Sequence, residues 1–303
     1  MDSRIQSIIH LLSCPDDGTH LSHTNNEVLC RDCGRIFPTV SGNFIELLPV
    51  GSQPLPLSSS EEYRRAYLHL FNDPVRDDSP ALAWGAEELA AVSWVRKRKR
   101  QVCAVSPVVT RGVRPDQSVL CDFAAGAGYY TRAYARHFRC ILHCDLSVDN
   151  LNYCRAKART DNLNNIVFLR IDYFRPPFRD SLDRIICFDT IIRGGEHDRL
   201  LLQSLIRSLR LNGGAVIDFH NWWHNPLRRV GLLPENFSSN KSYSRKSAEA
   251  LLNNVGIKDF EYRPFYQEFD ARRSLVGLCR HVLPATRLVY SVSKCDSSAK
   301  TLN

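Results

Sequence analysis

Residues 122–132 read DFAAGAGYYTR, and the small residues at 124, 126 and 128 decide how the rest of the chain is to be read. The apolar run SVLCDFA (118–124) ends in this tight glycine turn, which then opens YYTRAYARHF (129–138), a stretch of helical character. Downstream the same alternation repeats: CILHCDLS (140–147), VDNLNYCRAKARTDN (148–162), NIVFLRID (165–172), LDRIICFD (182–189), HDRLLLQSLIRSLRLNGG (197–214) and AVIDFH (215–220). Short runs rich in Val, Ile, Leu, Phe and Cys, separated by helix-length segments, predict βαβ units around a parallel sheet. In such sheets ligands bind off the carboxyl ends of the strands, where the strand order reverses. A dinucleotide site wants G-x-G-x-x-G, but here Gly126 and Gly128 are followed by Thr131, which lowers that reading.

The acid and alternating small residues, Asp122, Ala124, Gly126 and Gly128, resemble the first motif of class I S-adenosylmethionine-dependent methyltransferases, with Ala124 where that family usually has its first glycine. The resemblance extends over about 100 residues. It implies that Asp145, 23 residues after Asp122, accepts from the two ribose hydroxyls, and that Asp172 accepts from the adenine amino group. Phe188 and Asp189 then stand beside the methionine end of the cofactor, and LRLNGGAVIDF (209–219) matches the loop and glycine pair before the fifth strand. The expected fold is α/β: a doubly wound, Rossmann-like methyltransferase sheet, mostly parallel, with an antiparallel C-terminal hairpin and a small N-terminal ribbon. The expected cofactor is S-adenosylmethionine.

Composition sets outer bounds. The chain of 303 residues, 44% hydrophobic and 24% charged, can bury one large core and a small accessory domain, and its composition is that of an ordered globular protein. No apolar run approaches the roughly 20 residues that span a bilayer. The opening MDSRIQSIIHLLSCPDDG has an acid at position 2 and no small-residue cleavage site, so a cytoplasmic protein without membrane attachment is expected. The eleven cysteines are odd in number and mostly lie in apolar runs, as buried thiols do in a reducing compartment. Net charge is +8, yet residues 1–50 hold three Lys/Arg against six Asp/Glu, so the remainder carries +11. Its RKRKR run at 96–100 reads as a solvated helix face.

The segment 1–50 is expected to be a domain of its own. CPDDG (14–18) and CRDCGRIFPTVSGNFIELLP (30–49) resemble the zinc ribbon that precedes the catalytic domain in several methyltransferase groups. Cys30 and Cys33 form a complete C-x-x-C knuckle, while Asp17 occupies the second cysteine's place after Cys14. Zinc accepts carboxylate and imidazole as well as thiolate, so Asp17, His20 or His23 completes a structural zinc site, or the ribbon has lost its metal. Residues 51–110 are expected to form a Pro/Ser linker and a helical lid, in which Tyr63 and Tyr67 either line the cofactor or pack the lid's own core. Residues 111–303 are the expected catalytic domain, closed by a helix from Ser244 to Gly256 and a terminal hairpin, with 266–285 as an insertion.

DFHNWWHNPLRR (218–229) starts where the fifth strand stops, at the rim of the expected acceptor pocket. His220 or His224 suits a general base, Trp222 and Trp223 suit a wall for a planar or cationic group, and Arg228 with Arg229 suits an anion clamp. The other reading of the tryptophans is a plug between the sheet and the closing hairpin. Three functions remain open: methyl transfer to a small, anionic biosynthetic acceptor; methylation of an RNA base, which the acidic and incomplete ribbon disfavours; and a non-catalytic partner that keeps the fold. The oligomeric state stays open.

Overall fold

A computed structural model describes residues 3–24, 27–40, 44–52, 100–222, 241–265, 285 and 287–294. The first helix, α1 (Ser3–Ile8), runs through a 3-10 turn (Ile9–Leu11) towards an antiparallel sheet of β1 (Leu21–Thr24), β2 (Glu27–Cys30) and β3 (Ile36–Phe37). Two further short strands follow, β4 (Thr39–Val40) and β5 (Phe44–Leu47). The α/β part comprises β6 (Val119–Phe123), α2 (Tyr129–Ala135), β7 (Cys140–Asp145), α3 (Val148–Thr160), β8 (Ile166–Ile171), β9 (Leu182–Ile191), α4 (Gly195–Ser208), β10 (Leu209–His220), α5 (Arg245–Asn254), β11 (Phe260–Phe265) and β12 (Arg287–Ser293).

The main sheet has nine strands in the order β11-β12-β10-β9-β6-β7-β8-β5-β4. From β10 to β8 neighbouring strands are parallel, while β12 runs antiparallel to both β10 and β11. This is the expected mostly parallel sheet with an antiparallel C-terminal hairpin and a small antiparallel sheet near the N-terminus. Every residue of β6 and β7 is buried, which suits strands covered on both faces and explains why their sequence is an apolar run without alternation. The chain leaves β6 in one direction, through β7 to β8, and later returns on the other side of it with β9 and β10. The strand order therefore reverses between β6 and β9, and the glycine turn that follows β6 sits at that point.

Local chemistry fixes the helix ends. The Ser147 hydroxyl caps α3 by accepting from the Asn150 amide, and Ser244 caps α5 by accepting from Ser247 at 3.1 Å. Gly256, at φ 84°, takes the left-handed conformation just past α5 that only glycine adopts without strain.

The fifth strand departs from the sequence reading. It begins at Leu209 rather than Ala215, so Gly213 and Gly214 lie inside β10, where the register against β9 shifts between Leu209 and Gly214. The N-terminal segment is also joined to the main sheet. Strand β5 pairs in parallel with β8, placing Ile45 opposite Leu169, and Leu12, Val28, Phe37 and Ile45 share one apolar core with Val119, Leu169 and Ile217.

Candidate functional site

The turn after β6 holds three consecutive alternate residues in the left-handed region: Ala124 at φ 59°, Gly126 at 56° and Gly128 at 73°. Two are glycines, for which this is unstrained, whereas Ala124 carries a Cβ into a conformation that costs roughly 1–2 kcal/mol. Gly128 is fixed by space as well. A Cβ there would overlap the Cys154 Sγ and lie 2.7 Å from the Cys154 Cβ, so helix α3 reaches the turn only because position 128 is bare.

Asp122 is buried beneath this turn, 2% exposed, and its Oδ2 accepts from the Thr131 hydroxyl at 2.6 Å. That hydroxyl has given away its proton, so at 2.8 Å it accepts from His143 Nδ1, which fixes His143 as the Nδ1–H tautomer. Burial, with a smaller contribution from Arg132, pushes the His143 pKa down to about 3. His143 had no part in the sequence reading. Thr131, noted there only as a missing glycine, is the residue that ties α2 to β6 and β7.

Asp145 closes β7 and turns toward the glycine turn. Its Oδ2 accepts from the Gly126 amide at 2.7 Å, and its Oδ1 from the Ser147 amide at 2.8 Å and from Asn150 Nδ2 at 3.2 Å. Burial raises its pKa, partly offset by hydrogen bonds from Ser147, Gly126, Asn150 and Tyr173. Asp172, just beyond β8, accepts from the Phe174 amide at 2.9 Å and from the Ser52 hydroxyl at 3.0 Å. Phe188 is buried on β9 against Tyr130, ring centroids 4.7 Å apart.

Across the reversal point a different group gathers. Asp189 sits at φ 58° in a stretch of β9 where the register against β10 shifts, Cys187 facing Ile217 but Ile191 facing Phe219. Its amide donates to Asp218 Oδ1 at 2.7 Å. Its Oδ1 lies 3.3 Å from His220 Nε2 and pairs with Arg287, while Arg287 NH1 lies 3.5 Å from Asp218 Oδ2. Gln101, on the helix at 100–109, donates to the same Asp218 Oδ2 at 3.5 Å. His220 and Arg287 meet because they are register partners of the antiparallel β10–β12 pair. The amides of Trp222 and Tyr243 donate to the carbonyls of Tyr243 and His220, which ties the start of the Trp222 segment to the chain before α5. Trp223, His224, Arg228 and Arg229 lie outside the described residues, as do Tyr63, Tyr67, most of the expected linker and lid, Arg96 to Lys99, and nearly all of the expected insertion.

The N-terminal sheet gathers the third group. The ligand atoms of Cys14, Asp17, Cys30 and Cys33 all lie within 4.8 Å of one another. Cys14 Sγ is 3.8 Å from Cys33 Sγ, and Cys30 Sγ is 3.3 Å from Asp17 Oδ2. His20 and His23 are not in this group. The Thr19 amide holds the Asp17 carboxyl well below its usual range. The Arg35 amide pulls the Cys33 thiol down, but burial and its contacts with Cys30, Asp17 and Cys14 outweigh it and push the pKa up to about 12.

No helix among the described residues is long and apolar enough to cross a membrane. No curated protein sequence matches the chain. Solved structures do. Phosphoethanolamine N-methyltransferase 2 of Haemonchus contortus, in complex with S-adenosyl-L-methionine, is 15% identical, with 65% of this chain and 53% of that chain covered and a TM-score of 0.50. The chain thus spans about half the length of that enzyme. Magnesium protoporphyrin IX methyltransferase of Synechocystis, with bound S-adenosylhomocysteine, is 13% identical over 79% of this chain and 100% of that one, with a TM-score of 0.55. Geranyl diphosphate C-methyltransferase of Streptomyces coelicolor is 14% identical over 72% and 89%, with a TM-score of 0.53. At these identities the likeness is one of fold. Residues 120–213, from β6 into β10, match the family model described as a methyltransferase domain. Over this part the chain is similar to a methyltransferase domain, and its mostly parallel strand order is that of a Rossmann-like methyltransferase fold.

Proposed function

We propose that the chain transfers the methyl group of S-adenosylmethionine to a small anionic acceptor. The observation that carries this reading is the pairing of Asp145 with the left-handed turn at 124–128, at the point where the strand order reverses. The residues present fit the cofactor. Asp145 offers a carboxylate to the two ribose hydroxyls and Asp172 one to the adenine amino group, while the turn, shaped from below by Asp122 and Thr131, admits a ligand close to its backbone. Phe188 supplies an apolar surface at the methionine end.

When bound, the cofactor supplies a methyl group on a sulfonium already activated towards attack. What is left for the protein is to hold the acceptor in line, exclude water and take up a proton where the acceptor sheds one. His220 is the base in this reading, and Trp222 and Trp223 wall the acceptor. His224 is the alternative base, and Arg228 with Arg229 supplies the anion clamp. The names phosphoethanolamine and geranyl diphosphate both denote phosphorylated small molecules, which agrees with an anionic acceptor. A structural zinc ion belongs to the same proposal: three thiolates and one carboxylate make a four-coordinate donor set, at Cys14, Cys30, Cys33 and Asp17. One zinc per chain by elemental analysis supports it, and its absence from protein purified without chelator counts against it.

Titration calorimetry with S-adenosylmethionine is the test. Asp145→Ala should weaken binding by roughly 1.5 to 3 kcal/mol for each charge-assisted bond lost, and unchanged affinity sinks the ribose assignment. Labelled methyl taken up by a metabolite extract supports the acceptor class. Uptake by RNA would replace it with the nucleic-acid reading, and binding without uptake by either would favour a non-catalytic partner.

A further inference from the structure

From the geometry at the ends of β9, β10 and β12 we infer that Asp189 is a positioning residue for His220, kept in place by Arg287 and Asp218, and not a contact for the cofactor. The inference rests on the reading of His220 as the base. Two features of the backbone point to it. The irregular register of β9 between Cys187 and Ile191 lifts the chain out of its ladder, and Asp189 takes a left-handed φ of 58° within that stretch. Such a departure is strained and persists only where its surroundings over-determine it. Here they do: Asp218 accepts from the Asp189 amide at 2.7 Å, and Arg287 reaches both carboxylates. The strained residue thereby places its carboxylate between the Arg287 guanidinium and His220 Nε2, at 3.3 Å from the latter.

The consequence is a chosen tautomer. A neutral imidazole that keeps its proton on Nε2, facing a carboxylate, carries its lone pair on Nδ1. Nδ1 is then the atom that takes the acceptor's proton, while the acceptor retains the electron pair and the resulting imidazolium is offset by Asp189. The 3.3 Å separation is of the loose kind that tightens when an acceptor binds. Among the described residues, Asp189 from β9 lies against His220, and behind it stand Arg287 from β12, Asp218 from the strand of His220 itself and the neutral Gln101 from the helix at 100–109. A carboxylate held beside the ring favours the imidazolium.

Asp189→Asn removes the carboxylate charge beside His220 and leaves the left-handed backbone in place, because asparagine tolerates it as well as aspartate does. In nuclear magnetic resonance titrations without substrate, the His220 pKa should fall by roughly one unit in this variant. Turnover should fall by up to the roughly 10²- to 10⁴-fold that a general base is worth, with cofactor affinity unchanged. In the unaltered protein, nitrogen shifts of neutral His220 should report the Nε2–H form, a reading that needs no variant. An Nδ1–H tautomer, or an unmoved His220 titration in Asp189→Asn, overturns the inference. Weaker S-adenosylmethionine binding with an unmoved titration would return Asp189 to the cofactor. Failure of the unaltered chain to bind S-adenosylmethionine would instead defeat the methyltransfer reading and leave the histidine titration interpretable.

Discussion

The two halves of the sheet hold their polar groups in different ways. At the ends of β7 and β8 the carboxylates lean largely on nearby backbone: Asp145 on the Gly126 and Ser147 amides beside Asn150, and Asp172 on the Phe174 amide beside the Ser52 hydroxyl. Along β9, β10 and β12 they lean mainly on side chains from other elements: Asp189 on Arg287 and His220, and Asp218 on Arg287 and Gln101 besides the Asp189 amide. Amides are present at every residue, so the first half needs only the right turn, which a few small residues specify. The second half exists only after antiparallel pairing has set Arg287 opposite His220. One half is spelled by a short word; the other is assembled by register.

The comparison can be broken most forcefully at His220. His220→Ala should lower turnover by roughly 10²- to 10⁴-fold with little change in S-adenosylmethionine affinity, because the proposal places the histidine in the acceptor half. Steady-state kinetics beside calorimetry decides this, and an affinity loss as large as the rate loss would merge the two halves into one site. Next in size is Gly128→Ala. Left-handed strain of roughly 1–2 kcal/mol and overpacking against Cys154 of roughly 1–3 kcal/mol should add to a loss of about 2–5 kcal/mol in denaturant unfolding. In a Cys154→Ala background part of the overpacking should be recovered, and none of the backbone strain.

A pH series sharpens the same half. Burial holds the folded-state pKa of His143 at about 3, below the ordinary histidine value of 6.5, so the unfolded chain binds the proton first. Stability from this group is complete above pH 6.5 and is lost as pH falls toward 3, by about 1.4 kcal/mol for each pH unit. His143→Asn should flatten that part of the stability profile; an unaltered slope would assign the acid sensitivity elsewhere. The smallest effect should be a gain. Ala124→Gly relieves the left-handed alanine but frees the unfolded chain, for a net stabilisation of about 0.5–1 kcal/mol in melting experiments. A loss of stability would mean that the alanine methyl packs better than its backbone suffers.

Much of the fold was legible because it follows from apolar runs and their spacing. The parallel strands with their intervening helices, the hairpin at the C-terminus and the capped helix after Ser244 all have local signals, whereas the order β8-β7-β6-β9-β10 appears only in the folded sheet. Cys14, Asp17, Cys30 and Cys33 were also readable as a group, since a knuckle and its incomplete mate are recognisable by spacing. Arg287 and Gln101 were not. They lie 67 and 119 residues from His220 in sequence, and nothing in ARRSLVGLCRHVLPATR or RQVCAV marks them before the strands pair. His143 was hidden for another reason: inside an apolar strand, a histidine that bonds only to a buried threonine looks like any other interruption of the run.

The pairing of β5 with β8 has a consequence for how the molecule comes into being. Residues 45–47 are joined to residues 169–171, a separation of 124 positions, so a strand made early has its neighbour made late. At roughly 5 to 20 residues per second, β5 leaves the ribosome roughly 6 to 25 s before its partner strand does. Until then the nascent chain carries an unsatisfied strand edge, and β8 in turn would offer such an edge to other chains if the first fifty residues were cut away. The N-terminal segment thereby serves the finished protein as an edge guard, and chains shortened to the matched domain alone should aggregate as they are synthesised.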